Sequence, residues 1–259
     1  AGLKPSDVDG LVSFTMDTNT EIAVARAAGI GHLNFFSRIH YGGGAACATV
    51  QQAAMAVATG VAEVVVCYRA FNERSGMRFG QVNSALVQQV NSSGTDNAFS
   101  YPHGLSTPAG FVAMVAQRYM HEHNVPQEAL AAVVATQSEH AALKWNAMLR
   151  DVVTVEDVMK DRWIATPFHA MDCSLVSDGA AAFLVTTAER AKDMKQTPVY
   201  ITGIGEGYSH QYITSAKSVD GVRQGLGRAG RRAMEVAGIG PQDLDVAEIY
   251  DSFSFTPLI

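Results

Sequence analysis

The chain has 259 residues, 47% of them hydrophobic and 17% charged, with a formal net charge of −6. That is enough apolar material for one large core or two fused ones, and the acidic balance leaves no basic footprint for nucleic acid or an anionic lipid surface, so the ligand should be small. No apolar run reaches the roughly 18 residues of a membrane span and no charged-then-apolar leader is read, while Cys47, Cys67 and Cys173 lack the paired spacing of a zinc site or a secreted disulfide framework, which together point to the cytoplasm.

The opening run, Ala1-Gly2-Leu3-Lys4-Pro5-Ser6-Asp7-Val8-Asp9, has the marks of a helix end, with Gly as C-cap and Pro just beyond. Leu11 to Phe14 then suits a buried strand. A helix is expected from about Glu21 to Ala28, a strand from Asn34 to Ile39, a glycine loop, a helix from Ala45 to Thr59 and a strand from Glu63 to Tyr68. Ala46, Val50, Ala53, Ala54, Val57 and Val61 recur at the spacing of one packed helix face. Phe71 to Arg162 holds a turn-rich stretch, an amphipathic pattern around Phe111 to Tyr119 and an Ala-rich pattern over Gln127 to Leu143. An insertion of this size in an α/β fold reads as a substrate-covering lobe. Asp178 to Val185 reads as a turn into a buried strand.

The opening pattern then returns as Ala237-Gly238-Ile239-Gly240-Pro241-Gln242-Asp243-Leu244-Asp245, followed by a second expected strand, Val246 to Tyr250. Such a repeat implies a duplicated βαβ architecture. An equivalent second half needs about 60 residues beyond Asp245, yet 14 follow it. The expectation is an α/β protein with an N-terminal half over 1–70, an inserted loop region over 71–165 and a C-terminal half over 166–259, incomplete at both ends.

Three segments stand out as sites. Tyr41-Gly42-Gly43-Gly44-Ala45 runs from a strand into a helix start, where free N–H groups and the positive dipole end favour an oxyanion and the glycines let a ligand approach the backbone. Gly42, Gly43 and Gly44 are therefore substrate-binding candidates. Tyr250 and Asp251, in Ile249-Tyr250-Asp251-Ser252-Phe253-Ser254, lie at the end of the second expected strand. His103, in a turn beside Pro102, is a further polar candidate. His121 and His123 read as a solvated helix face rather than a metal site, and Arg223, Arg228, Arg231 and Arg232 likewise read as a solvated helix face.

Gly43-Gly44-Ala45 through Gly60-Val61-Ala62-Glu63-Val64-Val65-Val66 resembles the thiolase segment that begins at the nucleophilic cysteine. Gly43 falls at the nucleophile's place, and Cys47, one turn on, reads as a packed core thiol. Asp178-Gly179-Ala180-Ala181-Ala182 is similar to the strand entry that opens the second half of thiolases. The Tyr250 segment is similar to the one carrying Asn-Glu-Ala-Phe or His-Asp-Cys-Phe at their active site. More specifically, Phe14 to Arg26, the Tyr41-Gly42-Gly43-Gly44 loop, Phe71-Asn72-Glu73-Arg74-Ser75-Gly76-Met77-Arg78 and Tyr101-Pro102-His103-Gly104 resemble the lipid-transfer-protein aldolases of bacterial steroid side-chain degradation.

That resemblance implies a thiolase-like layered α-β-α-β-α fold and a retro-aldol cleavage of a 17-hydroxy steroid C20-carboxyl-CoA to a 17-ketosteroid and propionyl-CoA. No cofactor or metal is implied, since CoA is part of the substrate. It also implies a homodimer, formed through the Glu63–Tyr68 strand, and a partner hydratase supplying an OB-fold, zinc-ribbon-like domain. Two active-site tyrosines are implied, the first matching Tyr250 and the second lying past Ile259. The chemistry suits these residues. Retro-aldol cleavage takes the hydroxyl proton, breaks the Cα–Cβ bond and leaves an enolate, so a nucleophilic cysteine has no use. A tyrosine hydroxyl, with an ordinary pKa of about 10, must be tuned or act through a relay to accept that proton. Two other readings stay open: an acyltransferase using Cys47 or Cys67, and a non-catalytic thiolase-fold subunit.

Overall fold

Strand β1 (Gly10–Phe14) leads to α1 (Glu21–Ala28), β2 (Phe35–Ile39), α2 (Ala46–Ala58) and β3 (Val64–Asn72). After these come α3 (Pro108–His123), α4 (Gln127–Leu143), α5 (Val155–Lys160), β4 (Trp163–Ala165), β5 (Phe168–His169), β6 (Asp178–Thr186), α6 (Ala188–Ala191) and α7 (Val219–Ala237). The computed structural model describes residues 1–14, 19–39, 46–76, 100–209 and 219–259. They divide into one unit of 1–77, 177–206 and 229–244, and another of 78–176, 207–228 and 245–259.

Sequence punctuation sets the helix ends. Thr20 caps α1 by accepting from Ala23 N, and Gly29 closes it in the left-handed region at φ 77°. Pro108 occupies the first turn of α3, where its missing N–H costs nothing, and Asn124 ends that helix at φ 51°. Thr154 and Asp157 form a reciprocal capping box on α5.

The first unit is built on a sheet of order β2-β1-β3-β6. β1 pairs in parallel with β2 and β3, and helices α1 and α2 supply the crossovers that parallel neighbours require. β6 runs antiparallel along β3 from Val64↔Thr186 to Asn72↔Asp178. The Asp178-Gly179-Ala180 entry, expected to open a second half, thus completes the sheet of the first. Asp178 anchors that end by accepting from Arg74 N at 2.9 Å and Ser75 N at 3.1 Å, bonds that hold its carboxyl below the usual range, the Ser75 contacts foremost. Val12, Ala53, Ala56, Ala62, Val65, Cys67 and Val185 form the core under α2, while Val8, Leu11, Ala25 and Val64 form a second cluster.

Three expectations need correction here. The buried residues of α2 are Ala48, Thr49, Ala53 and Ala56, so the packed stripe lies one position off the expected face and Val61 is half exposed. The same rotation puts Cys47 at the surface instead of in the core. β3, the expected dimer strand, lies between β1 and β6, so both of its edges are already paired. Its apolar run reflects an interior position in one sheet.

The internal repeat is structural as well as sequential. Gly2 and Gly238 both adopt positive φ, at 88° and 71°. Pro5–Asp7 and Pro241–Asp243 each form a 3-10 turn, closed by Lys4 N donating to Asp7 at 2.7 Å and Gly240 N donating to Asp243 at 2.8 Å. The chain leaves the turns at nearly the same angles, φ −90°, ψ 124° at Val8 and φ −89°, ψ 122° at Leu244. The copies then part. Asp9 accepts from Val64 N at 2.9 Å, Glu63 N at 3.0 Å and Asn34 Nδ2 at 3.0 Å, tying β1 to its neighbours. The strand expected over Val246–Tyr250 is not formed, because a strand is a ladder and no described residue pairs with this one.

The second unit packs Ala113, Val115 and Ala116 of α3, Leu130 of α4, Phe168 of β5 and Val219 against Phe253 and Phe255 from the C-terminal segment. The amphipathic and Ala-rich patterns read from the sequence are these two helices, α3 and α4.

Candidate functional site

Tyr250 begins a C-terminal segment whose described residues form no α-helix or strand, only the 3-10 turn Thr256–Leu258, and which is nevertheless tied down on several sides. Phe253 stacks on Phe168 with ring centroids 5.1 Å apart, and Phe255 meets Tyr119 edge-on at 5.5 Å. Backbone bonds join the segment to the stretch after β5: Ser174 N donates to Ser252 O at 3.0 Å and Ser254 N donates to Asp172 O at 2.9 Å, flanking an antiparallel bridge between Cys173 and Phe253. Asp251 accepts from Gln137 Nε2 of α4 at 2.8 Å. Tyr250 itself is 55% exposed, and among the described residues its hydroxyl has no hydrogen-bond partner. An exposed side chain beside an anchored backbone suits a group that must reach a substrate.

The anchor has a polar centre that sequence reasoning did not single out. Asp172 is 2% exposed and both of its carboxylate oxygens are used. Oδ1 accepts from Ser254 Oγ at 2.6 Å, and Oδ2 accepts from His169 N at 2.7 Å and lies 3.3 Å from His169 Nδ1. His169 is buried beneath Trp163, with ring centroids 3.8 Å apart, and among the described residues its Nε2 has no hydrogen-bond partner. The available signal was a His and an Asp three residues apart directly after an apolar Phe, the spacing of a capping box on a short turn.

The other expected site residues fare differently. Gly42, Gly43 and Gly44 lie outside the described residues. His103 closes the 3-10 turn Tyr101–His103, is exposed, and among the described residues forms no hydrogen bond with Tyr250 or Asp251. Among the described residues no group of three His, Cys, Asp or Glu side chains could hold a metal ion, and His121 and His123 are exposed on α3. Arg223, Arg228, Arg231 and Arg232 are exposed along α7, Arg223 pairing with Asp220 and Arg232 with Glu235 at 3.6 Å each.

The thiols bear on the choice of chemistry. Burial pushes Cys67 up to about 12, against partial relief from the Thr49 side chain, and burial pushes Cys173 up to about 11. Neither is available as a thiolate near neutrality. Cys47 is exposed at the start of α2.

Residues 205–259 match a family model described as "Thiolase C-terminal domain-like". Over its whole length the chain is 54% identical to the 17-hydroxy-3-oxo-4-pregnene-20-carboxyl-CoA lyase of Mycobacterium tuberculosis, covering 68% of that protein. It is 48% identical over its whole length to a steroid side-chain-cleaving aldolase of Thermomonospora curvata, covering 67% of it. A solved structure described as "Ltp2-ChsH2(DUF35) aldolase" superposes on the entire chain with a TM-score of 0.87 and 46% identity, the chain spanning 66% of that one.

Proposed function

The chain belongs to the thiolase-superfamily aldolases that cleave steroid side chains, and we propose that it catalyses retro-aldol cleavage of a 17-hydroxy steroid C20-carboxyl-CoA. One observation carries the reading: 54% identity to a lyase named for that substrate, running the full length of the chain. The products are a 17-ketosteroid and propionyl-CoA. A base takes the proton of the 17-hydroxyl, the C17–C20 bond breaks as the carbonyl forms, and its electron pair becomes an enolate on the thioester. A proton delivered to C20 then completes propionyl-CoA, so no water, free CoA or covalent acyl-enzyme enters the balance.

Tyr250 is the group assigned to proton transfer in this scheme, supported by its exposed hydroxyl on an anchored backbone. Asp251, held by Gln137, and His103 are assigned to substrate binding. The enolate oxygen requires preorganised donors, a role given to the N–H groups of Gly42, Gly43 and Gly44, each worth about 3 kcal/mol when well aimed. The protein works as a homodimer, without a cofactor or metal, alongside an OB-fold, zinc-ribbon-like domain of a hydratase. A partner is supported by the two components named in the aldolase structure on which the whole chain superposes. A cytoplasmic site of action is supported by three free cysteines.

The competing acyltransferase chemistry differs in stoichiometry. Thiolytic cleavage consumes one free CoA per turnover through a cysteine, whereas retro-aldol cleavage consumes none. Turnover that persists without free CoA and after complete alkylation of Cys47 by iodoacetamide is the expected result. Dependence on free CoA together with loss of turnover on alkylation would transfer the assignment to a thiolase-type reaction.

A further inference from the structure

We propose that Asp172 is a positioning residue for the cleavage reaction, acting through Ser254 to fix the aim of Tyr250. The inference rests on the aldolase reading for its catalytic half and on the structure alone for its mechanical half.

A carboxylate that is 2% exposed is costly to bury unless its lone pairs are occupied, and Asp172 meets that cost with hydrogen-bond partners on both oxygens. Its partners are the Ser254 hydroxyl, the His169 amide and the His169 ring. Where only cohesion is needed, apolar side chains of similar volume serve as well or better. What a fully used carboxylate adds is direction, because each acceptor fixes the angle of its donor. Here the direction is imposed on one short segment. Asp172 reaches Ser254 twice, by its side chain to Oγ and by its backbone carbonyl to N. With the Ser174–Ser252 bond two residues back, it locks the backbone that leads to Tyr250.

His169 holds the other side of the carboxylate. With its ring proton on Nδ1 facing Oδ2, Nε2 becomes a bare acceptor beneath Trp163, and an unpaired acceptor is easier to bury there than an unpaired N–H. The cluster thus runs from Trp163 through His169 and Asp172 to Ser254, and ends four residues from the proposed proton acceptor.

Ser254→Ala removes one bond of the clamp with little change of volume, Ser254→Thr restores the hydroxyl, and Asp172→Asn changes the acceptor while keeping its shape. All three are compared with wild type in the complete gene product together with its hydratase partner. Expected for Ser254→Ala and Asp172→Asn are faster hydrogen–deuterium exchange of the peptide spanning 250–255 and a kcat lower by about 10- to 100-fold at a KM within about twofold. Ser254→Thr returns both readouts toward wild type. Unchanged exchange, or faster exchange with wild-type kcat, would overturn the proposal, as would losses in kcat that Ser254→Thr fails to restore. If the wild type itself releases no propionyl-CoA, the aldolase reading fails, while the exchange data still decide whether Asp172 clamps the segment.

Discussion

Tyr250 is 55% exposed and among the described residues its hydroxyl makes no hydrogen bond, so removing the oxygen should separate chemistry from stability. Tyr250→Phe should lower turnover by about 100-fold or more, the usual range for losing a general acid–base group, with an unchanged midpoint in denaturant. The check is kcat alongside urea unfolding. The buried thiols make an opposite kind of prediction. Cys67 and Cys173 sit at about 12 and about 11 in the fold against an ordinary 9.0, so the native state keeps protons that the unfolded chain gives up. Their contribution is complete below about pH 9 and is lost as pH rises toward 12, so stability should decline with pH across that window and a Cys67→Ala variant should decline less steeply. Denaturant midpoints at stepped pH measure it. Native Cys67 should also resist iodoacetamide while exposed Cys47 reacts.

At the scale of elements, the Asp9 carboxylate joins β1 to the start of β3 and to Asn34 ahead of β2 through Val64 N, Glu63 N and Asn34 Nδ2. Asp9→Ala should cost about 1–3 kcal/mol by stranding those donors, read from the shift in urea midpoint. Gly205 makes a different demand, since a Cβ there would lie 2.1 Å from Ala229 O on α7. Gly205→Ala must push that backbone away and should cost about 1–3 kcal/mol, with Gly31→Ala, which meets nothing within 4 Å, as the control. Helices α1 to α4 were legible from apolar patterning, and Thr20, Gly29, Pro108 and Asn124 mark the limits the structure gives to two of them. Two features were not. The exposed Cys47 depended on the rotation of α2, which alanines, apolar on every face, do not encode. The Val246–Tyr250 run looked like a strand, but pairing is a property of neighbours, not of the run.

For the whole molecule, the repeat around Asp9 and Asp245 made a duplicated α/β architecture readable, and both copies fold into the same capped turn. Tyr250 was singled out through resemblance, whereas the partnership of Asp172, His169 and Ser254 was not, because it spans 82 residues between Asp172 and Ser254 and no local pattern announces it. The same limit applies to the dimer strand: an apolar run in β3 fits burial, but only topology reveals that its edges are taken. The most direct test of the aldolase assignment follows the products themselves. The full-length protein, with and without the proposed hydratase partner, is incubated with a 17-hydroxy steroid C20-carboxyl-CoA in the absence of free CoA, and thioesters and steroids are quantified by mass spectrometry. Propionyl-CoA and 17-ketosteroid appearing in equal amounts is the predicted result; a folded protein that leaves the substrate intact under both conditions would contradict it.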